Sequence, residues 1–244
     1  MPETFASTGM KKFYPKSMRK FLWCSGGILL LHSGCVLQQE ELSPRSTDIK
    51  WHSSSPKTLP TKSVSPRTRI MGKATCTARQ MRLFLQKQKE VPARYLRLPE
   101  IYLSEGAKEG VRGDLAFAQA IHETDCFRFG GDVLPAQNNF AGLGATGNGV
   151  RGHSFPTMQR GVRAHIQHLK AYASTARLRQ PCVDPRFSCV KNRGCVPYLE
   201  GLSGKWAVPG YDRAKYPDLK SAQQCRDSYA DKIKKIYDQI RKIP

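Results

Sequence analysis

Glu123 closes the segment Gly113-Asp114-Leu115-Ala116-Phe117-Ala118-Gln119-Ala120-Ile121-His122-Glu123-Thr124. Projected on a helix, the residues between Asp114 and Thr124 leave one polar wedge of Gln119, His122 and Glu123. The remaining surface is Leu, Phe, Ala and Ile. A helix apolar on most sides belongs in a core, so a carboxyl on its one polar stripe is placed to line a cleft. Burial disfavours the charged form of a carboxylic acid and raises its pKa. The negative end of the helix dipole acts in the same direction. A carboxyl still protonated near neutral pH can give its proton to a leaving group. The plainer alternative is a half-exposed Glu at a fraying helix end.

Other reactive side chains give weaker signals. His165 and His168 are three apart on one helical stretch, but no third ligand is signposted, so they are expected to pack or hydrogen-bond and no metal is expected. Cys126 lies near His122, yet no oxyanion motif accompanies a Cys–His nucleophile. Gly142-Leu143-Gly144 follows no buried strand and opens no long helix, so it is not a phosphate loop.

The elements that must position Glu123 follow from periodicity and breakers. Thr77 to Leu85 reads as an amphipathic helix with Thr77 as N-cap, and Leu98 to Gly110 as a second with Ile101, Tyr102 and Ala107 inward. The Glu123 helix is third. Phe129 to Gly152 has too many Gly and Asn residues for long helices and suits loops with a short β-lobe. Thr157 to Ser174 turns helical, with Val162, Ile166, Leu169 and Ala173 on one face. Arg177 to Tyr216 is irregular. Ser221 to Lys242 closes as one amphipathic helix with Cys225, Tyr229, Ile233, Ile236 and Ile240 on a stripe.

Charge and the N-terminus bound the setting. Among 244 residues, 40 Lys and Arg face 19 Asp and Glu, a formal net charge of +21, which implies a polyanionic partner. No zinc-finger or RNA-binding signature points to nucleic acid; anionic lipid or an anionic cell-wall polymer fits the charge equally well. Arg19 and Lys20 precede Phe21-Leu22-Trp23-Cys24-Ser25-Gly26-Gly27-Ile28-Leu29-Leu30-Leu31, a basic n-region and an h-region too short for a comfortable membrane span. Met18 as the start would put the basic pair at the front. The run ends at His32-Ser33-Gly34-Cys35, similar to a bacterial lipoprotein signal with Cys35 as the lipidated residue, although His32 departs from the usual small or aliphatic residue. Residues 1–37 are thus expected to be a signal or anchor, the one membrane contact of an extracellular or cell-surface protein. Residues 38–74, rich in Ser, Thr, Pro and Lys, are expected to be a flexible cationic linker, and 75–243 the folded domain. Eight cysteines leave disulfide pairing open.

The motifs then converge as an ordered set. The Glu123 helix is followed by Phe127-Arg128-Phe129-Gly130-Gly131-Asp132-Val133 and Gln137-Asn138-Asn139-Phe140-Ala141-Gly142-Leu143-Gly144. Phe155-Pro156, Gly161-Val162-Arg163-Ala164-His165 and His168-Leu169-Lys170-Ala171-Tyr172 come next. Val183-Asp184-Pro185-Arg186-Phe187, Gly204-Lys205-Trp206-Ala207-Val208-Pro209-Gly210 and Tyr229-Ala230-Asp231-Lys232-Ile233 complete it. Over about residues 70–243 this set closely resembles the bacterial endo-β-N-acetylglucosaminidases that cut peptidoglycan, the glucosaminidase autolysins of glycoside hydrolase family 73.

The resemblance implies an α+β, lysozyme-like fold, mainly helical, with a small loop and β-hairpin lobe flanking the cleft. It implies a hydrolase acting on peptidoglycan glycan strands as a monomer without a cofactor. Glu123 becomes the general acid and Tyr229 a cleft-facing tyrosine of the last helix. Asn138 and Asn139 would reach sugar hydroxyls or acetamido groups, with Gln119, Phe127, Phe140 and Trp206 as further substrate contacts. One departure stands out. Most glycosidases use two carboxylates, and Thr157-Met158-Gln159-Arg160, where the family often has its second acid, holds none. Asp132 is the one carboxylate between Asp125 and Asp184. Asp132 could orient the water, the substrate's 2-acetamido group could act as nucleophile, or chemistry could be weakened. Asp125 also departs from the small residues usual there, and close to Glu123 it would raise the acid's pKa further. Besides the glucosaminidase reading, a muramidase or lytic transglycosylase, a non-catalytic glycan-binding module, and a wall-opening part of a secretion apparatus are compatible with these residues.

Overall fold

The computed structural model describes residues 67–147 and 149–244. The expected signal or anchor at 1–37, Cys35 with it, and the expected linker before Arg67 lie outside the described residues.

Six α-helices organise the described chain: α1 (Ala78–Gln86), α2 (Leu98–Glu109), α3 (Gly113–Glu123), α4 (Met158–Ala173), α5 (Leu219–Gln224) and α6 (Tyr229–Arg241). α2 packs on both α3 and α4, and α3 packs on α6. The starts follow local chemistry. Thr77 caps α1 in a reciprocal box with Gln80, and the Thr157 side chain accepts the Arg160 N–H to open α4. α2 ends at Gly110 in the left-handed conformation, where a Cβ would be strained. Val162, Ile166, Leu169 and Ala173 are all buried, as the period of α4 predicts.

Two close approaches, one between helices and one between a loop and a helix, are backbone against backbone. A Cβ on Gly113 would fall 2.2 Å from the Tyr102 carbonyl, and one on Gly161 would fall 1.8 Å from the Asn138 carbonyl. The first contact seats α3 on α2, and the second seats the 129–152 loop lobe on α4.

Several expectations are corrected. Residues 67–74 belong to the folded domain, not to the linker. Ile70 is fully buried, its N–H donates to Pro197 O at 3.1 Å, and its carbonyl accepts from Arg112 N at 2.9 Å. A few apolar residues scattered through a Ser/Thr/Pro-rich stretch do not show in its composition. The β-hairpin is reduced to an isolated antiparallel bridge, Gly147 to Val150. Glycines 142, 144, 147, 149 and 152 all adopt left-handed φ, so the chain turns before a ladder can extend. Ala107 is exposed, and Glu105 and Glu109 take the buried positions of α2. Glu105 pairs with Arg163 at 2.8 Å, and Glu109 pairs with the buried Lys170 at 2.8 Å while accepting from Arg179 and Gln180 N–H. Buried charge tolerates its surroundings only when satisfied in this way.

The closing helix is two helices. Arg226 takes φ 53°, and Ser228 then caps α6 in a box with Asp231. Cys225 therefore ends α5 and is exposed, outside the stripe of Tyr229, Ile233 and Ile240. The six described cysteines are unpaired thiols. Among the described residues no helix is long and apolar enough to cross a membrane.

Candidate active site

α3 stops at Glu123 because Thr124 diverts its own backbone. The Thr124 hydroxyl donates to Ala120 O at 2.7 Å and accepts the Phe127 N–H at 2.9 Å. Asp125, Cys126, Phe127 and Phe129 then adopt φ of 48°, 55°, 61° and 60°. Such angles cost a residue with a Cβ roughly 1–2 kcal/mol each, and strain of this kind concentrates at functional sites. Asp125 turns away from the acid and pairs with Arg128 at 2.7 Å, with half its side chain exposed. Asp125→Gly is therefore expected to stabilise the protein by about 1 kcal/mol, since relief of left-handed strain outweighs an exposed ion pair. Urea unfolding checks this, and a loss of stability would contradict it.

Glu123 sits between α6 and the irregular segment before α5. Its Oε1 accepts from the Tyr229 hydroxyl and, at 3.1 Å, from the Trp206 indole N–H. Burial pushes the carboxyl up to about 7 despite these two donors, which favour the ionised form. The residue keeps partial exposure, and with both donors on Oε1 the other oxygen is left open.

The Tyr229 oxygen in turn accepts from Gln119 Nε2 at 2.8 Å. Gln119 Oε1 lies 3.1 Å from His165 Nε2, and His165 Nδ1 lies 3.0 Å from the Tyr102 hydroxyl. All four residues are buried. Burial, with His168 nearby, lowers His165 to about 3, so its ring is neutral. Burial, with Lys232 nearby, lowers His122 to about 4, and the His122 ring packs on Tyr229 at 5.3 Å. The indole of Trp206 is held by His165, His168 and Tyr172, with ring centroids 5.7, 5.1 and 5.6 Å away. His168 is fixed by a buried contact of 2.8 Å from Nδ1 to Asp184 Oδ2. A neutral-to-acid donor set of this kind can hold a protonated carboxyl and then stabilise its anion.

The expected site residues thus divide. Glu123, Tyr229, Gln119 and Trp206 come together. Gln119, however, spends its amide on Tyr229 and His165 and is fully buried, so it supports the site rather than touching a sugar. Trp206 presents its N–H to Glu123 while its ring packs against neighbours. Phe127 and Phe140 are corrected to core residues: they pack on each other at 6.0 Å and on Tyr95 at 5.3 and 6.1 Å, both sealed from solvent. Asn139 is corrected to a turn-maker, its amide shared among Leu143 N–H, Leu143 O and His153 O. Asn138 adopts φ 50° and donates to Phe155 O at 2.9 Å, keeping partial exposure. Asp132 accepts the Gly149 N–H at 3.2 Å within the loop lobe. Cys126 is buried, and burial pushes its thiol up to about 11, which leaves no thiolate for nucleophilic attack. No group of three or more His, Cys, Asp or Glu able to hold a metal occurs among the described residues.

His165 and His168 pack and hydrogen-bond as expected, but sequence reasoning did not name their partners Tyr102, Gln119 and Asp184 or link His165 to Glu123. The signal was present: two histidines on a helix otherwise destined for the core must find polar partners.

A protein of Borreliella burgdorferi described as an uncharacterized protein is 48% identical over 106 residues, 43% of this chain and 52% of the relative. The chain spans about half the length of that relative. No solved structure matches this chain. Residues 99–242 match the family model Glucosaminidase (mannosyl-glycoprotein endo-beta-N-acetylglucosaminidase), well over half of the 244-residue chain, and the chain belongs to that family.

Proposed function

We propose that the protein is a peptidoglycan hydrolase that cleaves the β-1,4 bond on the reducing side of N-acetylglucosamine. The observation that carries this reading is the Glu123 carboxyl, held at about 7 by burial with both of its donors on one oxygen. Near neutral pH its open oxygen delivers a proton to the glycosidic oxygen as the bond to the leaving sugar breaks. The carboxylate so formed accepts from Tyr229 and Trp206, then takes a proton from the incoming water.

The positive charge that develops on the sugar needs a partner. Asp132 holds a loop N–H, and the groups that contact Glu123 are neutral. These contacts favour attack by the substrate's own 2-acetamido oxygen over a second enzyme carboxylate. Asp132→Asn is accordingly expected to retain kcat within about tenfold of the parent, far from the 10²–10⁴-fold loss expected of a missing acid–base group. A loss of that larger size, in a folded variant assayed on purified cell walls, would make Asp132 the second catalytic carboxylate.

Mass spectrometry of released muropeptides tests the reaction itself. Reducing-end N-acetylglucosamine is expected. Reducing-end muramic acid would indicate a muramidase, anhydro-muramic ends a lytic transglycosylase, and wall binding without release a glycan-binding module. The net charge of +21 supports retention on anionic wall polymers, and the N-terminal signal pattern supports work outside the cytoplasm or at the cell surface.

A further inference from the structure

Four buried side chains lead away from Glu123 in single file, and their chemistry leaves little freedom in the direction of each hydrogen bond. The Tyr102 hydroxyl is fully buried, and among the described residues its partner is His165 Nδ1. Burial holds that phenol well above its ordinary pKa, so it keeps its proton. A buried O–H without an acceptor is costly, so Tyr102 donates and Nδ1 must be the unprotonated ring nitrogen. A neutral imidazole then carries its proton on Nε2, which faces Gln119 Oε1 at 3.1 Å. With its oxygen occupied, Gln119 turns Nε2 to the Tyr229 oxygen at 2.8 Å. Tyr229 already accepts there, and its own proton goes to Glu123 Oε1. The Trp206 N–H reaches the same oxygen.

We infer that Tyr102, His165 and Gln119 form a one-way hydrogen-bond chain that holds the Tyr229 hydroxyl as a donor to Glu123 Oε1 and so places the transferable proton on Oε2. The inference deepens the proposed acid role of Glu123 and rests on that role for its catalytic consequence. The chain prevents a competing arrangement. If His165 carried its proton on Nδ1, Gln119 would flip, Tyr229 would donate to Gln119, and the Glu123 proton would be drawn inward onto the Tyr229 oxygen, away from the substrate. Tyr102, four hydrogen bonds from the carboxyl, is thus a positioning residue, as are His165 and Gln119. Donors aligned head to tail also polarise one another and strengthen the last bond of the series.

The test reads the ring nitrogens directly. Two-bond proton–nitrogen correlation spectra of the full-length protein, labelled with nitrogen-15 histidine and assigned with His165→Gln, report which nitrogen holds the proton. The Nε2–H tautomer is expected for His165 from pH 5 to 8. In Tyr102→Phe, which lacks only the hydroxyl, an Nδ1–H population is expected to appear, and kcat to fall about tenfold with KM unchanged. An Nδ1–H tautomer in the parent protein overturns the inference even if Tyr102→Phe fails to fold. An unchanged tautomer together with an unchanged kcat in a folded Tyr102→Phe overturns it as well. Because the tautomer is read without turnover, a locked Nε2–H ring in a protein that releases no fragments would refute the hydrolase reading while leaving the chain in place. An active enzyme with Nδ1–H would do the reverse.

Discussion

Glu123→Gln is expected to lower kcat on purified peptidoglycan by about 10²–10⁴-fold while leaving the fold intact. The substitution is nearly isosteric, and its amide oxygen can still accept from Tyr229 and Trp206 where Oε1 does now. What it lacks is an ionisable proton. A stability signature should accompany the loss. Folding raises the Glu123 pKa from 4.5 to about 7, mainly through burial. A group raised in this way contributes its stability fully below the unfolded value and loses it as pH rises through the folded one. Parent and Glu123→Gln are therefore expected to be equally stable near pH 4. The variant is expected to be more stable by on the order of 2 kcal/mol near pH 8.5, where the parent must bury a charge. Urea unfolding at the two pH values, alongside the rate assay, checks both halves. Equal stability at pH 8.5 would mean that the carboxyl is effectively solvated.

Tyr229→Phe should come next in size. It removes the hydroxyl that donates to Glu123 Oε1 and accepts from Gln119, and changes little else, because the ring stays against His122 at 5.3 Å. The ionised carboxylate loses a donor, so its pKa rises further. The alkaline limb of the kcat profile is expected to move up by about one pH unit, as befits one hydrogen bond to a charged group. The maximal rate is expected to drop by about 10–100-fold, because the carboxylate left after proton transfer is less stabilised. The sign of the limb shift is the discriminating feature. A residue needed only for packing would cut the rate and leave the limb where it was, and a downward shift would contradict the donor assignment.

The helices and the cleft-lining place of Glu123 were readable because their signals are local. Thr77, Thr157, the apolar period of α4 and the single polar wedge of α3 each specify an element without reference to the rest of the chain. Glu123 and Tyr229 were reached through the ordered motifs, and the structure puts the two in contact. The failures share a physical origin. In a loop no period tells which way an aromatic faces, so Phe127 and Phe140 read as substrate contacts when they are core, and the hydrogen bond from the Trp206 N–H to Glu123 went unseen. Charges read as solvated, so the buried faces of Glu105 and Glu109 went unseen; Arg163 and Lys170, which pair with them across the α2–α4 contact, are more than fifty residues away in sequence. Ile70 was averaged into a polar stretch. The break before α6 was written locally, since Ser228 and Asp231 have the spacing of a capping box. The longer hydrophobic stripe masked it.

The ionisation of Glu123 can be followed directly by carbon-13 NMR of the full-length protein labelled at glutamate carboxyls, with Glu123→Gln identifying the resonance. A midpoint near 7 is expected, the value that burial imposes against two hydrogen-bond donors. A midpoint near 4.5, the ordinary value for this side chain, would show a carboxylate already ionised at neutral pH and would contradict its role as the proton donor.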